Sequence, residues 1–249
     1  VDATAYFTRL VQRLVTALSA PTEEGSLYEV DMQLRPSGRA GPVVVRFDAF
    51  QSYYAEKAWT WELMALTRAR VVSAGDRFRR EIETEISQTL TRPRDVSEAA
   101  ADVADMRARI EQAKPASAPW SVKYVRGGLV DIEFICQFLQ LAHASRAQDI
   151  LSANTRSAFR KIWRAGLIKP ADAERLIHAA ELMLNLQQIT RLCVEGEFDV
   201  EAATPGLRDL LLRSYPADDF DALTALLVCR QGEVRALFDQ LIAKQAARR

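Results

Sequence analysis

The chain has 249 residues, enough for one large domain or two small ones, and 49% of them are apolar, so a substantial core can be buried. Its 33 Lys and Arg residues equal its 33 Asp and Glu residues, and this neutral balance argues against a protein that coats nucleic acid. The longest apolar runs are too short to span a bilayer, and no signal peptide is evident. Neither a nucleic-acid partner nor a membrane is therefore expected.

The cysteine content favours a reduced protein. Cys136, Cys193 and Cys229 are widely spaced, and each lies in an apolar stretch. An odd, dispersed set of this kind is typical of free thiols in a cytoplasmic protein. His143 and His178 have no second ligand at a suitable spacing, so no metal site built from cysteine or histidine is predicted.

The first segment, 2–19, has apolar residues spaced as on one face of an amphipathic helix. These residues are Phe7, Leu10, Val11, Leu14, Val15 and Leu18. The chain starts at Val1, inside this helical pattern and without an initiator methionine. We therefore expect it to be a piece of a longer polypeptide.

The next segment changes its period from helical to alternating. Over 27–35, the apolar residues Tyr28, Val30, Met32 and Leu34 alternate with the polar residues Glu29, Asp31, Gln33 and Arg35. This alternation predicts a strand with one buried face. A turn follows over 36–41, and the β-branched run over 42–47 predicts a second strand. The two strands would form a β-hairpin, which needs further support because a two-stranded hairpin is marginal alone.

Helical periodicity accounts for most of what remains. The sequence predicts helices over 48–57, 59–73, 76–90, 95–113, 129–144, 155–165, 170–194, 205–214 and 218–246. Asp48 is expected to cap the first of these, with Gln51 three residues later as in a capping box. The helix over 129–144 is apolar almost all round, which is typical of the centre of a bundle.

The predicted fold class is mainly α, with a β-hairpin followed by an α-helical bundle. The expected organisation has three parts: 1–90 with the hairpin and its helices, 91–120 as a linker region with a charged helix, and 121–249 as the bundle.

The acidic face of the first predicted strand is one candidate site. Glu29 and Asp31 lie two residues apart, and carboxylates held in this way can bind Mg²⁺, which prefers oxygen ligands. Arg35 on the same face could pair with a phosphate. The alternative is a solvated polar face on an edge strand, which is common.

The segment 123–134, Lys-Tyr-Val-Arg-Gly-Gly-Leu-Val-Asp-Ile-Glu-Phe, is a second candidate site. Gly127 and Gly128 precede a helix, where backbone N–H groups can approach an anion, and Lys123 adds positive charge. Asp131 and Glu133 fall near the start of this otherwise apolar helix. The helix dipole alone favours acids there, although acids on a buried helix also need partners.

A third group combines Trp59 and Trp61 with Arg68 and Arg70. The rings could stack on a base and the arginines could meet phosphates. The stronger alternative places the tryptophans in the core or at an interface and leaves the arginines at the surface.

Three stretches taken together resemble glutamate-ammonia-ligase adenylyltransferase, the bifunctional enzyme that attaches AMP to glutamine synthetase and removes it. They read YEVDMQLRPSGRAGPVVV, AWTWELMALTRARVV and KYVRGGLVDIEF, and they span about residues 28–134 in the order of the family. The resemblance makes the predicted hairpin a partial nucleotidyltransferase β element.

The family has two similar halves, of which the N-terminal half removes AMP by phosphorolysis and the C-terminal half adds it. The removing half typically reads GRDWERYAMVKAR and GGIREIEF where this chain reads AWTWELMALTRAR and GGLVDIEF. The chain thus resembles the C-terminal, adenylylating half.

One departure from the family is important. The catalytic centre of the family begins with a Gly-Ser motif followed by two aspartates in a D-x-D pattern, and this chain has no such motif before residue 28. The resemblance makes Asp31 the third carboxylate of a triad that would bind Mg²⁺, with Glu29 as a further candidate. It also places Lys123, the Gly127-Gly128 turn, Asp131 and Glu133 near the cleft that binds ATP. Arg35 is added to this set from its position on the strand face beside Asp31.

The resemblance implies transfer of AMP from ATP to a tyrosine of glutamine synthetase, with glutamine synthetase and a PII signalling protein as partners. Because the companion carboxylates are missing from the chain, we expect it to be inactive alone. Two alternatives stay open. One is the removing half of the same enzyme, and the other is a non-catalytic helical module that docks glutamine synthetase or PII. The AWTWE block argues against the uridylyltransferases that modify PII, which have similar helical parts.

Overall fold

The computed structural model describes residues 2–23, 25–26, 30–196 and 198–247. The chain forms two compact units, Val1–Ala65 and Leu66–Arg249. Helices account for most of the described residues, so the prediction of a mainly α fold is confirmed. The predicted boundaries at residues 90 and 120 stay predictions.

Helix α1 (Ala3–Ser19) opens the first unit and confirms the predicted amphipathic helix. The side chain of Asp2 caps it by accepting a hydrogen bond from the Thr4 N–H at 3.0 Å. None of its residues is buried. Its large apolar side chains, with exposed fractions of 38% to 57%, are Tyr6, Phe7, Leu10, Leu14 and Leu18. The apolar face of α1 is therefore open to solvent.

A short antiparallel pair, β1 (Pro21–Thr22) and β2 (Gly25–Ser26), follows α1. The hairpin predicted over 27–35 and 42–47 is wrong for the described residues, because 30–35 and 42–46 contain no strand. Residues 27–29, with Tyr28 and Glu29, lie outside the described residues.

Arg35 explains the loop that replaces the predicted hairpin. Its guanidinium donates to the carbonyls of Met32 and of Gly41, the second at 3.2 Å. A 3₁₀ turn, Gly38–Ala40, lies between these carbonyls. Side-chain-to-backbone bonds therefore close the segment in place of a strand ladder, in agreement with the marginal stability of an isolated hairpin.

Helix α2 (Phe47–Glu56) begins one residue earlier than predicted. Its N-cap is Arg46, so the prediction of Asp48 as the cap is wrong. Asp48 lies in the first turn, where the helix dipole favours an acid, and its carboxylate pairs with Arg46 at 2.8 Å. That ion pair and the Ala49 N–H lower the pKa of Asp48.

Helix α3 (Thr60–Leu66) is shorter than the predicted helix over 59–73. The Ala69 N–H donates to the Leu66 carbonyl at 3.0 Å, which closes a turn and ends the helix.

The second unit contains the remaining helices, each close to its predicted position. They are α4 (Asp76–Leu90), α5 (Val96–Ala113), α6 (Leu129–His143), α7 (Thr155–Arg164), α8 (Pro170–Cys193), α9 (Pro205–Arg213), α10 (Phe220–Phe238) and α11 (Lys244–Ala246). A π-helical turn, Asp239–Ala243, separates α10 from α11 within the single helix predicted over 218–246.

Helix α6 is the centre of the second unit, as its apolar sequence predicts. It contacts α5, α7, α8 and α10. Ile132, Ile135 and Phe138 on α6 are each at most 2% exposed. No helix in the described ranges is long and apolar enough to cross a membrane.

Candidate functional site

Asp31, the predicted catalytic carboxylate, lies exposed in the first unit. Its Oδ1 accepts a hydrogen bond from the Gln33 N–H at 2.8 Å. The described residues contain no group of three or more His, Cys, Asp or Glu that could hold a metal ion. Because Mg²⁺ takes several oxygen ligands, the described part of the chain does not by itself fit this ion. The roles of Asp31 and of Glu29, which is outside the described residues, stay predictions.

Arg35, the predicted phosphate ligand of the same segment, is committed to the protein backbone. Besides Met32 and Gly41, it donates to the Arg39 carbonyl at 3.4 Å. Three of the five N–H donors of Arg35 are therefore used by the backbone, and two remain for a ligand such as phosphate.

A second polar cluster in the first unit connects α2 and α3. The buried carboxylate of Glu62 accepts hydrogen bonds from the Tyr53 hydroxyl at 2.7 Å and from the Trp59 N–H at 2.9 Å. Burial and the bond to Glu62 raise the pKa of Tyr53, and burial raises the pKa of Tyr54 to about 12. Both phenols therefore stay protonated at neutral pH.

The two glycines before α6 are packing positions. Gly127 has a φ of +81°, and a Cβ there would lie 1.9 Å from the Gln231 carbonyl oxygen on α10. A Cβ on Gly128 would lie 2.5 Å from the Val122 carbonyl oxygen. Only glycine permits this approach of the turn to α10 and to its own backbone.

The N–H groups of residues 127 to 130, at the start of α6, are used within the protein. Gly127 donates to the Asp131 carboxylate at 2.5 Å, and Gly128 donates to the Val125 carbonyl at 2.9 Å. The next two residues donate to the carbonyls of Val122 and Lys123. The open cradle of N–H groups that the sequence suggested for an anion is therefore absent from this turn.

Asp131 anchors the turn from inside the protein. Its side chain is fully buried and forms an ion pair with Arg107 of α5, which is fully buried too. Arg107 Nη2 also donates to the Tyr124 carbonyl at 2.9 Å. Together with the bond from Gly127, these contacts join α5, the turn and α6. Any part that Asp131 has in binding a nucleotide would be to position the turn.

The positive charges beside the turn differ in their availability. Lys123 is exposed, with its ammonium 4.9 Å from the centre of the Tyr124 ring. Arg126 pairs with Glu111 of α5 at 2.8 Å. Lys123 is therefore the cation of this turn that is open to a ligand.

Glu133 lies on the half-exposed side of α6 and pairs with Arg68 at 2.6 Å. In the third group, Trp59 is 70% exposed and Trp61 is 38% exposed, so neither ring belongs to the core. Exposure agrees with either the stacking or the interface interpretation of these rings.

Cys136 is buried, and burial raises the pKa of its thiol to about 12, so it stays protonated. Burial lowers the pKa of His143.

The sequence did not identify Arg107, which reads as one more cation on a charged helix. The signal that could have found it is the need of the buried Asp131 for a partner.

Sequence comparisons identify two matching families. Residues 1–86 match the model described as "Glutamate-ammonia ligase adenylyltransferase", and residues 101–193 match the one described as "GlnD PII-uridylyltransferase".

Relatives named "Bifunctional glutamine synthetase adenylyltransferase/adenylyl-removing enzyme" match nearly the whole chain. The protein of Rhodopseudomonas palustris (strain TIE-1) is 51% identical over 97% of the chain, that of Bradyrhizobium diazoefficiens 47% over 95%, and that of Xanthobacter autotrophicus 43% over 97%. The chain spans about a quarter, 24%, of the length of each of these relatives.

The mainly helical fold and these matches make the chain similar to one segment of these bifunctional proteins. Over nearly its whole length the chain matches a segment of proteins in the glutamate-ammonia ligase adenylyltransferase family.

Proposed function

We propose that the chain is part of the C-terminal half of such an enzyme, the half that transfers AMP from ATP to a tyrosine of glutamine synthetase. The tyrosine oxygen would bond to the α-phosphorus as the bond to pyrophosphate breaks, with release of pyrophosphate and a proton. Through this modification the whole enzyme would regulate nitrogen assimilation in the cytoplasm. The observation that carries the proposal is the identity of 51% to a bifunctional enzyme of this name over 97% of the chain.

The amino-acid residues of two sequence blocks support the adenylylating half in particular. The chain reads AWTWELMALTRAR and GGLVDIEF where the removing half typically reads GRDWERYAMVKAR and GGIREIEF. Aligned residue by residue, three arginines of the removing blocks are replaced by apolar residues here, namely Trp59, Leu63 and Val130.

Within this function, Asp31 is proposed as the carboxylate that the chain contributes to the catalytic centre. Glu29, Arg35, Lys123, the Gly127-Gly128 turn, Asp131 and Glu133 are proposed to support the binding of ATP and Mg²⁺. Lys123 would contact phosphate directly because it is exposed. Asp131 and the two glycines would act by fixing the turn, because they are buried and internally bonded.

The chain alone is expected not to transfer AMP, because the D-x-D carboxylates of the family are not in its sequence. The test incubates the chain with radiolabelled ATP, Mg²⁺ and glutamine synthetase. A polypeptide of the length of the relatives serves as the positive control, and the same polypeptide carrying Asp31→Asn should lose transfer. Clear transfer by the chain alone, or full activity of the Asp31→Asn enzyme, would contradict the proposal.

A second assay separates the two halves. In the longer polypeptide, Asp31→Asn should abolish the attachment of AMP from ATP and leave phosphate-dependent removal of AMP from modified glutamine synthetase. The reverse result would assign the chain to the removing half.

The two family matches favour one alternative function. Residues 101–193 match a PII-uridylyltransferase model, whereas residues 1–86 match the adenylyltransferase model. A helical segment similar in two enzyme families could be a module that docks a protein, either glutamine synthetase or PII, without doing chemistry. Binding of the chain to either protein in the absence of nucleotide, together with unchanged AMP transfer by the longer polypeptide carrying Asp31→Asn, would support this alternative.

A further inference from the structure

Helix α7 presents a continuous basic face to solvent. Its ten residues include four cations and no acid, and all four cations are exposed: Arg156, Arg160, Lys161 and Arg164. At 100° per residue these side chains cover one side of the helix, opposite the buried residues Ala158, Phe159 and Ile162. Arg160 and Arg164 lie one turn apart at its centre.

The charge around α7 is unbalanced in a chain whose total charge is zero. The segment 144–170 contains six cations, the four of α7 with Arg146 and Lys169, against the single acid Asp149. Such a concentration of one sign produces a local field that attracts an oppositely charged surface.

The two central arginines of the basic face have no role in holding the fold. Arg156 pairs with Glu181 of α8 at 3.0 Å, and Lys161 donates to the Leu151 carbonyl at 2.8 Å. Arg160 and Arg164 form no ion pair or side-chain hydrogen bond among the described residues. Their guanidinium groups are therefore available to an external carboxylate, which arginine can bind with two parallel hydrogen bonds.

The helix that carries these arginines is firmly held. Ala158, Phe159 and Ile162 are each 0% exposed, and the Asn154 side chain caps the first turn by accepting from the Ser157 N–H at 3.0 Å. A rigid helix presents its charges with little loss of conformational freedom on binding.

An aromatic side chain borders the basic face. Trp163 is 37% exposed and lines a surface pocket of about 540 Å³.

 Gly166, Lys169 and Gln240 also line the pocket beside Trp163. Tryptophan and arginine are the side chains that most often dominate the binding energy of protein interfaces. Their combination on α7 fits a protein partner with an acidic surface.

We propose that the basic face of α7, defined by Arg156, Arg160, Lys161 and Arg164 with Trp163 at its edge, docks an acidic surface of glutamine synthetase. The assignment of the partner rests on the proposed function, because glutamine synthetase stands in the names of relatives that match 97% and 95% of the chain, α7 included. The contact surface itself is inferred from the exposure, charge and rigidity of α7.

The test measures binding of the whole chain to immobilised glutamine synthetase without nucleotide. The variant Arg160→Glu/Arg164→Glu should bind about tenfold more weakly than the original chain, because like charges then face each other. Binding by the original chain should weaken as salt rises from about 50 to about 300 mM, since screening acts on exposed charges. The conservative variant Arg160→Lys/Arg164→Lys should keep most of the binding.

A matched control is present on α1. Arg9 and Arg13 are also exposed, also one turn apart, and also without an ion pair among the described residues. Arg9→Glu/Arg13→Glu changes the charge of the chain by the same amount, and it should leave binding within about twofold of the original. Circular dichroism and thermal melting would check that both variants are folded.

Equal losses in the α7 and α1 variants, or no loss in either, would overturn the docking surface. So would failure of the original chain to bind glutamine synthetase at low salt. It would also be overturned if the α7 variant lost binding to PII or to a DNA oligonucleotide while glutamine synthetase bound unchanged. The AMP-transfer assays with the longer polypeptide judge the proposed function separately, so the two failures are distinguishable.

Discussion

The buried ion pair between Arg107 and Asp131 allows a quantitative prediction for the substitution Arg107→Met. Both side chains are fully buried, and Asp131 would keep its bond from the Gly127 N–H but lose its charged partner. Removing one member of such a pair destabilises a protein by about 3–5 kcal/mol, because a charge is left uncompensated in the interior. At about 2–4 °C per kcal/mol for a unit of this size, the melting temperature should fall by roughly 6–20 °C.

The double variant Arg107→Met/Asp131→Asn should be more stable than Arg107→Met alone. The asparagine oxygen can still accept from the Gly127 N–H, and no charge then remains buried at this site. Arg109→Met is the matched control on the same helix. Its ion pair with Asp105 is exposed, so the expected loss is at most about 1 kcal/mol.

Urea unfolding followed by circular dichroism measures all three variants. The reasoning would be refuted if Arg107→Met lost no more stability than Arg109→Met. It would also be refuted if the double variant were less stable than Arg107→Met, since the buried charge would then not be the source of the loss.

Two further predictions concern the glycine turn and His143. Gly127→Ala should destabilise the chain far more than Gly166→Ala, as measured by urea unfolding. Both glycines have positive φ, but a Cβ at residue 127 would lie 1.9 Å from the Gln231 carbonyl oxygen, whereas one at residue 166 meets nothing within 4 Å. Equal losses of stability in the two variants would contradict the packing argument. Burial lowers the pKa of His143 below its ordinary value of 6.5, so the unfolded chain binds the proton more readily. The contribution of neutral His143 to the free energy of unfolding should therefore be fully present above about pH 6.5 and decrease as the pH falls toward the folded pKa. His143→Gln should reduce this dependence of stability on pH. An unchanged pH dependence in the variant would contradict His143 as its source.

The helices were predictable because their signals are local. The period of apolar residues located α1 and α5 to α9 within a few residues, and the continuous apolar run of α6 correctly indicated the centre of the bundle. Pro170 and Pro205 at the starts of α8 and α9 fixed two of these boundaries.

The predicted hairpin shows where local patterns are insufficient. Alternation over 27–35 indicated a strand, but strands need a partner ladder, and the bonds from Arg35 to nearby carbonyls are a competing local solution. Those bonds depend on the conformation of 32–41, which the alternation does not encode.

The glycine turn before α6 was predictable as a position but not as a geometry. The sequence located the Gly127-Gly128 turn and the buried acid of α6, yet it suggested free N–H groups where those of residues 127 to 130 are bonded within the protein. The close approach of Gln231 and the ion pair with Arg107 join residues 24 to 104 positions apart, and a single sequence carries no direct signal for contacts at that separation.

The open apolar face of α1 affects how the chain behaves in the laboratory. Leu10, Leu14 and Leu18 form an exposed apolar stripe on an amphipathic helix that also carries charged side chains, so α1 has the character of a surface-active peptide. We therefore expect the purified chain to adsorb at air–water interfaces and to aggregate when it is concentrated. A mild non-ionic detergent, or the substitution Leu14→Lys, should reduce this aggregation without altering the helical bundle of the second unit.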